Sequence, residues 1–344
     1  MKFDAILTFR HERFRYDALM KWADMSCTAR ALQTIGVIVF TSAGGPWAQT
    51  PPQGKPDVPT MVAVQDLAWS PDGRVLFFSA MRVKRDYSDY TPDKWAVYKY
   101  DFGAKRLTIF ARSSFSVCAS SADERVVVGT LAGGNRDLYA LGRDGQPLAR
   151  LTTDPAEEFG CAFSPDGRQI AFTSKRDGHA EVYVSNADGT EARRLTHHAS
   201  ARSLNPSWSP DGRSLAYYFE TGDGQDQIHV MNADGSGDIN VTNDAFNNIF
   251  PGWTPDGRVI YGQAVKGKPT TRVFTVSRDG TNKQPVLNLD SFYARVSPDG
   301  TTIAYIADAG AAGASIVLVD RTGTVLTDIS LGAVGGGTAF DRVW

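Results

Sequence analysis

The sequence predicts an all-β chain folded as a six-bladed β-propeller of four-stranded antiparallel blades. Three observations carry that expectation. A Ser-Pro-Asp-Gly turn, or a worn copy of it, begins at Ser70, Ser121, Ser164, Ser209, Thr254 and Ser297, at spacings of 51, 43, 45, 45 and 43 residues. A second turn recurs in phase with it: NADG at Asn186 and Asn232, RDG at Arg143 and Arg278, and RTG at Arg321. Short apolar, β-branched segments fill the intervals between turns. A period of roughly 40 to 50 residues holding about four strands is the pattern of propeller blades. One such blade cannot bury both of its faces, so neighbours must stack in a ring.

The copy at 160–196 shows each element in order. Gly160 to Phe163 leads into the turn at Ser164, where Pro presets φ, Ser and Asp bond nearby amides, and Gly accepts the left-handed conformation. Gln169 to Thr173 and the alternating Glu181 to Ser185 read as the second and third strands, separated by the polar break KRDG at 175–178. The NADG turn at Asn186 then hands over to a fourth strand ending at Thr196. The longest spacing is explained by one insertion, Met81 to Trp95, between a second and a third strand. The residue before each first turn is Trp69, Ser120, Phe163, Trp208, Trp253 or Val296, and this mostly aromatic column is expected to pack blade against blade.

Several stretches resemble the WD40-like, or PD40, repeats of the TolB family of periplasmic β-propellers: WSPDG at 208–212, TSKRDG at 173–178, VYVSNADG at 182–189 and RRLT at 193–196. The resemblance spans residues 62 to 330 and does not extend to the N-terminal α/β domain that TolB proteins carry. It implies docking to a protein or peptide, an envelope lipoprotein among the candidates, through loops at the channel mouth. Similar repeats occur in the propeller domains of prolyl oligopeptidase-like peptidases and in oligogalacturonate lyases.

Residues 1–48 read as a signal peptide, with translation starting at Met20 or Met25, and 49–60 as a Pro-rich linker before the propeller at 61–344. Arg30 precedes the apolar run from Ala31 to Trp47, which is short and glycine-rich for a membrane span. A periplasmic monomer with no stable membrane span after leader removal is therefore expected. The formal net charge is −2, with 36 Lys and Arg against 38 Asp and Glu and no basic stripe, which argues against a nucleic-acid groove. Cys118 and Cys161 each fall three residues before a turn serine in successive repeats. Because innermost strands of adjacent blades are not hydrogen-bonded neighbours, both are expected to be buried free thiols.

The repeat architecture accounts for the aspartates of the first turns, and the sequence lacks a G-x-S-x-G nucleophile elbow. No catalytic residue, cofactor or metal set is therefore expected, a channel-bound divalent cation such as calcium being the one addition the architecture leaves room for. What remains is a surface. The fourth-to-first-strand loops and the second-to-third-strand loops share one face around the channel mouth. They carry Phe115, Glu157, Glu158, Phe159, His197, His198, Asn247, Asn248, Phe250, Asp290 and Tyr293, together with Tyr87 and Tyr90 of the insertion. Aromatic residues beside amides and acids suit a protein or peptide ligand; the alternative for the aromatics is that they plug the inner ring. The second functional reading is a metal-dependent polysaccharide lyase or other carbohydrate-active propeller enzyme, with His197 and His198 as ligands. His229 sits in an alternating strand and reads as a blade residue.

Overall fold

The computed structural model describes residues 58–335, apart from 120–124, 132–133, 199–200, 222–224, 265–270, 287–290, 292, 309–312 and 333. The leader, the start of the linker, the turn at Ser121 and Asp290 lie outside the described residues. The rest forms six four-stranded antiparallel sheets, each built from one contiguous stretch of chain. Blade 1 holds β1 (Thr60–Trp69), β2 (Val75–Lys84), β3 (Ala96–Asp101) and β4 (Arg106–Arg112). Blade 2 holds β5 (Ser114–Ala119), β6 (Val126–Thr130), β7 (Asp137–Leu141) and β8 (Pro147–Arg150). Blade 3 holds β9 (Glu158–Phe163), β10 (Gln169–Ser174), β11 (Glu181–Asn186) and β12 (Arg193–Arg194). Blade 4 follows with β13 (Arg202–Trp208), β14 (Ser214–Glu220), β15 (Gln227–Asn232) and β16 (Ile239–Asn240). Blade 5 comprises β17 (Asn247–Trp253), β18 (Val259–Ala264), β19 (Thr271–Val276) and β20 (Gln284–Pro285). Blade 6 comprises β21 (Ala294–Val296), β22 (Thr302–Asp308), β23 (Ala314–Asp320) and β24 (Val325–Ile329). One 3-10 turn, Pro92–Lys94, sits in the insertion.

The Ser-Pro-Asp-Gly turns work as their chemistry requires. At Ser164 the hydroxyl donates to Asp166 Oδ1 at 2.6 Å and accepts from the Gln169 amide at 2.9 Å, while Asp166 Oδ1 also accepts from the Arg168 amide. The same set recurs at Ser70, Ser209 and Ser297. The serine hydroxyl, then the backbone amide, hold Asp72, Asp166, Asp211 and Asp299 below the usual carboxylate range.

The core is six interfaces, not one. Each apolar cluster is built mainly from two adjacent blades. Phe77 and Val97 of blade 1 meet Val117 and Val128 of blade 2, and Val127 and Leu138 of blade 2 meet Ile170 and Phe172 of blade 3. Blades 3 and 4 share Val182, Leu195, Leu215 and Tyr217, while Tyr218, Ile228, Val259 and Tyr261 join blades 4 and 5. Ile260 and Val273 of blade 5 pack on Ile303 and Val317, and Ile316 and Leu318 of blade 6 return to Leu76 and Phe78 of blade 1. Fully burying a side chain such as Phe78 or Phe172 contributes about 1.5 to 3 kcal/mol. The pre-turn aromatics take the expected place against the preceding blade: Phe163 and Trp208 are buried there, Trp253 Nε1 donates to Ser207 O at 2.9 Å, and Trp69 Nε1 donates to Arg295 O at 3.2 Å.

The second turn has an equally specific partner. Gly189, at φ +87°, abuts the backbone of Leu151 in the preceding blade, whose carbonyl oxygen occupies the place a Cβ would need. Gly145 meets the Phe110 carbonyl similarly closely, whereas Gly235 and Gly280 face Leu195 and Val241 with more room. A polar latch ties the start of each third strand in blades 2 to 4 to a threonine after the fourth. Thr152 donates to Asp137, Thr196 to Glu181 and Thr242 to Gln227, while Arg150 and Arg194 pair with the two acids at 2.7 and 2.6 Å.

Cys118 and Cys161 are joined as a disulfide with Cα atoms 5.8 Å apart, which corrects the expectation of free thiols. The absence of hydrogen bonding between β5 and β9 is not decisive, because innermost strands converge toward the axis of a wheel. Positions 118 and 161, equivalent in neighbouring blades, come within disulfide reach there.

The sequence AFDRVW at 339–344 resembles the approach to a further turn, as DLAW does at 66–69, and would suit a clasp onto Met61 to Val64, but it lies outside the described residues. Met61 to Val64 is within β1, paired with β2, and Val62 also forms a parallel bridge with Gly313 of blade 6. Arg82 closes the other side, donating from Nε to Val334 O at 2.7 Å and from Nη2 to Gly332 O at 3.1 Å.

Candidate functional site: the loop-bearing face and the hub beneath it

The hub is built from the position four residues before each turn: Asp66, Val117, Gly160, Asn205, Phe250 and Tyr293. Asp66, Gly160, Asn205 and Phe250 all adopt positive φ, between 46° and 59°, where the pairing of first and second strands slips by a residue. Such a bulge redirects a side chain that the pleat would otherwise send into the blade. Phe250 lies 5.2 Å from Tyr293 and 5.7 Å from Tyr218, ring to ring. Asn205 Oδ1 fills the place of the missing Gly160 Cβ. Tyr293 Oη donates to Asp66 Oδ1 at 3.1 Å, and Arg295 lies 4.1 Å over the Tyr293 ring and donates to its Oη at 2.8 Å. Of the aromatics named from sequence, then, Phe250 and Tyr293 pack at the hub. Phe115 is buried as well, and Phe159 is half-buried.

Two carboxyl groups below this face are shifted upward. Burial raises Asp66 to about 6 against the opposing pull of Arg295, Tyr293 and the Val117 amide. Burial also raises Glu158 to about 7, against Ser174 and Arg176, which contact its Oε1 at 2.9 and 3.3 Å. Both folded values exceed the ordinary 3.8 and 4.5, so the native state holds more protons than the unfolded chain between about pH 4 and 7. The contribution to stability is therefore full below about pH 4 and is lost as pH rises to 7. Asp66→Asn, which keeps a residue that tolerates left-handed φ, is expected to raise the melting temperature at pH 8 and leave it unchanged relative to wild type at pH 4. The ceiling for this one carboxyl is about 3 kcal/mol. Equal melting shifts at the two pH values would show that Asp66 carries no such linkage.

Above the hub, three predicted residues are brought together by two that the sequence reading did not single out. Arg136 lies 4.6 Å over the Phe115 ring and Lys175 lies 6.0 Å over Phe159. Both reach Glu157: Lys175 Nζ is 2.9 Å from Oε2 and Arg136 Nε is 3.7 Å from Oε1. Tyr90 of the insertion feels the Arg136 charge and is itself half-buried, its phenol pushed up by that burial. A signal for these cations was present, since Arg136 and Lys175 flank second-to-third-strand connections that open on the same face as the insertion. Tyr87 is half-buried, at φ 57°, in the same insertion, where Lys94 pairs with Asp89 at 2.6 Å.

The remaining named residues are dispersed. Asn247 and Asn248 are buried: Asn247 Oδ1 accepts from the Asp226 amide, and Asn248 exchanges hydrogen bonds with Asp244 and Gln263. His197 is exposed. His198 is half-buried in the seam between blades 3 and 4, edge-on to Phe219 at 4.5 Å, and burial pushes its pKa down. His229 faces the same seam but is engaged by Asp238 at 3.2 Å. Among the described residues, no three His, Cys, Asp or Glu side chains gather to hold a metal ion. No described helix is long and apolar enough to cross a membrane.

A family model described as the TolB beta propeller domain (PD40) matches residues 67–292 and again 198–335. Over 80 residues the chain is 40% identical to tricorn protease homolog 1 of Streptomyces coelicolor, a stretch that is 23% of this chain and 8% of that relative. The structure of TolB from Acinetobacter baumannii has a TM-score of 0.53 at 20% identity, covering 66% of this chain and 55% of that one. An oligogalacturonate lyase solved with manganese has a TM-score of 0.52 at 14% identity, covering 77% of each chain. At these identities the structural likeness concerns the fold, which binding proteins and enzymes share.

Proposed function

The chain belongs to the TolB beta-propeller domain family, and from that premise we propose that it is an exported binding or scaffolding module whose loop-bearing face docks a protein or peptide partner in the cell envelope. The observation that carries this reading is the asymmetry of the two faces. One face is closed by tight, self-bonded turns. The other displays the insertion, Tyr90, the Arg136–Glu157–Lys175 cluster and Phe159 over a hub packed with side chains. A half-buried mixture of aromatic and charged groups on rigid strand ends is what a protein interface uses. The disulfide supports export, since such bonds persist in oxidising compartments, and the apolar run from Ala31 to Trp47 supports the same route. An envelope lipoprotein is the partner class that family membership favours.

The test is co-purification from envelope extract with and without the insertion. Because β2 extends to Lys84 and Trp95 is buried, only residues 86–93 should be replaced, by a short Gly-Ser turn. Recovery of the partner is expected to fall at least about tenfold, the cost of losing one interface hot spot. Unchanged recovery would remove the insertion from the interface, and no saturable partner at all would overturn the scaffold reading.

A further inference from the structure

We infer that Arg136 and Lys175 form a receptor for a carboxylate on an acidic peptide segment, and that Glu157 occupies its place in the free protein. This deepens the binding-module reading and rests on it for biological context, but the chemistry is local. The two cations come from neighbouring blades and are each supported from beneath by an aromatic ring, Phe115 and Phe159, at 4.6 and 6.0 Å. Cation–π support of this kind holds a charge in position without neutralising it. A single carboxylate sits between them. Lys175 is within hydrogen-bonding distance of one oxygen at 2.9 Å, whereas Arg136 Nε stands 3.7 Å from the other, too far for a hydrogen bond. The two-pronged donor face of Arg136 is thus not committed to Glu157, and a planar carboxylate is the group that fits such a fork.

The local charge balance points the same way. Arg136 and Lys175 share the single carboxylate of Glu157, whereas Arg176 is engaged by Glu158 at 3.3 Å and also acts on Asp177. Two cations against one carboxylate is a local imbalance on a chain whose formal net charge is −2, suited to choosing an acidic partner over a basic one. Tyr90 beside Arg136 supplies an aromatic flank on which a peptide can lie. All three charged side chains of the cluster remain reachable, with about a fifth of each exposed: 19% for Arg136, 20% for Lys175 and 18% for Glu157.

Fluorescence anisotropy with dye-labelled hexaglutamate tests the inference, with hexalysine and hexaserine as controls. Glu157→Ala should bind hexaglutamate at least tenfold more tightly than wild type, because the internal competitor is gone. Arg136→Gln with Lys175→Gln should lose that binding, and Arg136→Lys, which keeps the charge but not the fork, should fall between. Lys283→Gln, which removes a different ion pair on blade 5, should leave binding as in wild type. Each variant's melting curve separates loss of the receptor from loss of fold. Weaker binding by Glu157→Ala, binding indifferent to the Arg136/Lys175 pair in folded protein, or retention only on phosphatidylglycerol vesicles would overturn the inference. An envelope partner captured equally by the double variant would likewise overturn it while leaving the scaffold reading intact. Hexaglutamate bound through Arg136 and Lys175, with no envelope partner found, would support the receptor and sink the scaffold.

Discussion

Gly189→Ala is expected to destabilise the protein by about 3 kcal/mol or more, and Gly178→Ala by about 1 kcal/mol. Both glycines hold strongly positive φ, +87° and +96°, in turns of the same blade. They differ in what surrounds them. No atom lies within 4 Å of the Cβ position at Gly178, whereas at Gly189 the Leu151 carbonyl of blade 2 already occupies it. Alanine at 178 pays only the conformational cost, while alanine at 189 must also push two blades apart against close-packed cores. Urea unfolding of the two variants gives the comparison. Equal losses would show that the backbone contact between blades 2 and 3 contributes nothing, and that the recurring glycine of the second turn serves only turn geometry.

Removing the disulfide should have an effect of similar size. Cys118 and Cys161 are 43 residues apart, and closing a loop of that length in the unfolded chain is worth about 4 kcal/mol in the chain-entropy model. The Cys118→Ala, Cys161→Ala protein should melt roughly 8 to 16 °C lower than the oxidised wild type, at 2 to 4 °C per kcal/mol. Reductant should lower the wild type by a similar amount and leave the double variant unmoved. A variant as stable as the parent would mean that the hub geometry is held by packing alone. The equivalent sites in the other blades, Leu67, Pro206, Pro251 and Ala294, are compatible with that outcome only if apolar contact at this level suffices.

These two cases also mark what could be read from the sequence. Blade number, strand order and turn placement were legible because Ser-Pro-Asp-Gly and NADG encode their conformation locally, in side chain-to-amide bonds a few residues long. The strand from Gln169 is a typical success, observed as Gln169–Ser174. What the second turn's glycine touches was not legible, since Leu151 belongs to another repeat. The disulfide was misread for a related reason: hydrogen-bond topology says which strands pair, whereas proximity at the axis depends on how six sheets are inclined to one another. The channel-mouth residues divide along the same line. Glu157, Phe159 and Tyr90 do meet, but the agents that join them, Arg136 and Lys175, act across blades. Phe250 was placed by its offset from the turn, yet its entry into the hub follows from a left-handed bulge that no local residue preference announces.

Among the described residues each sheet is complete within its own stretch of chain, and blades 6 and 1 are joined there by side chains and one bridge. Between residues 58 and 335 the chain therefore never has to thread through itself. Opening it at a solvent-facing connection and linking residue 335 to residue 58 would give a circularly permuted polypeptide with the same six interfaces. In the native order, the junction marked by Trp69, Arg82 and Tyr293 is where the ring can part without any sheet being torn, as a split washer opens at its gap.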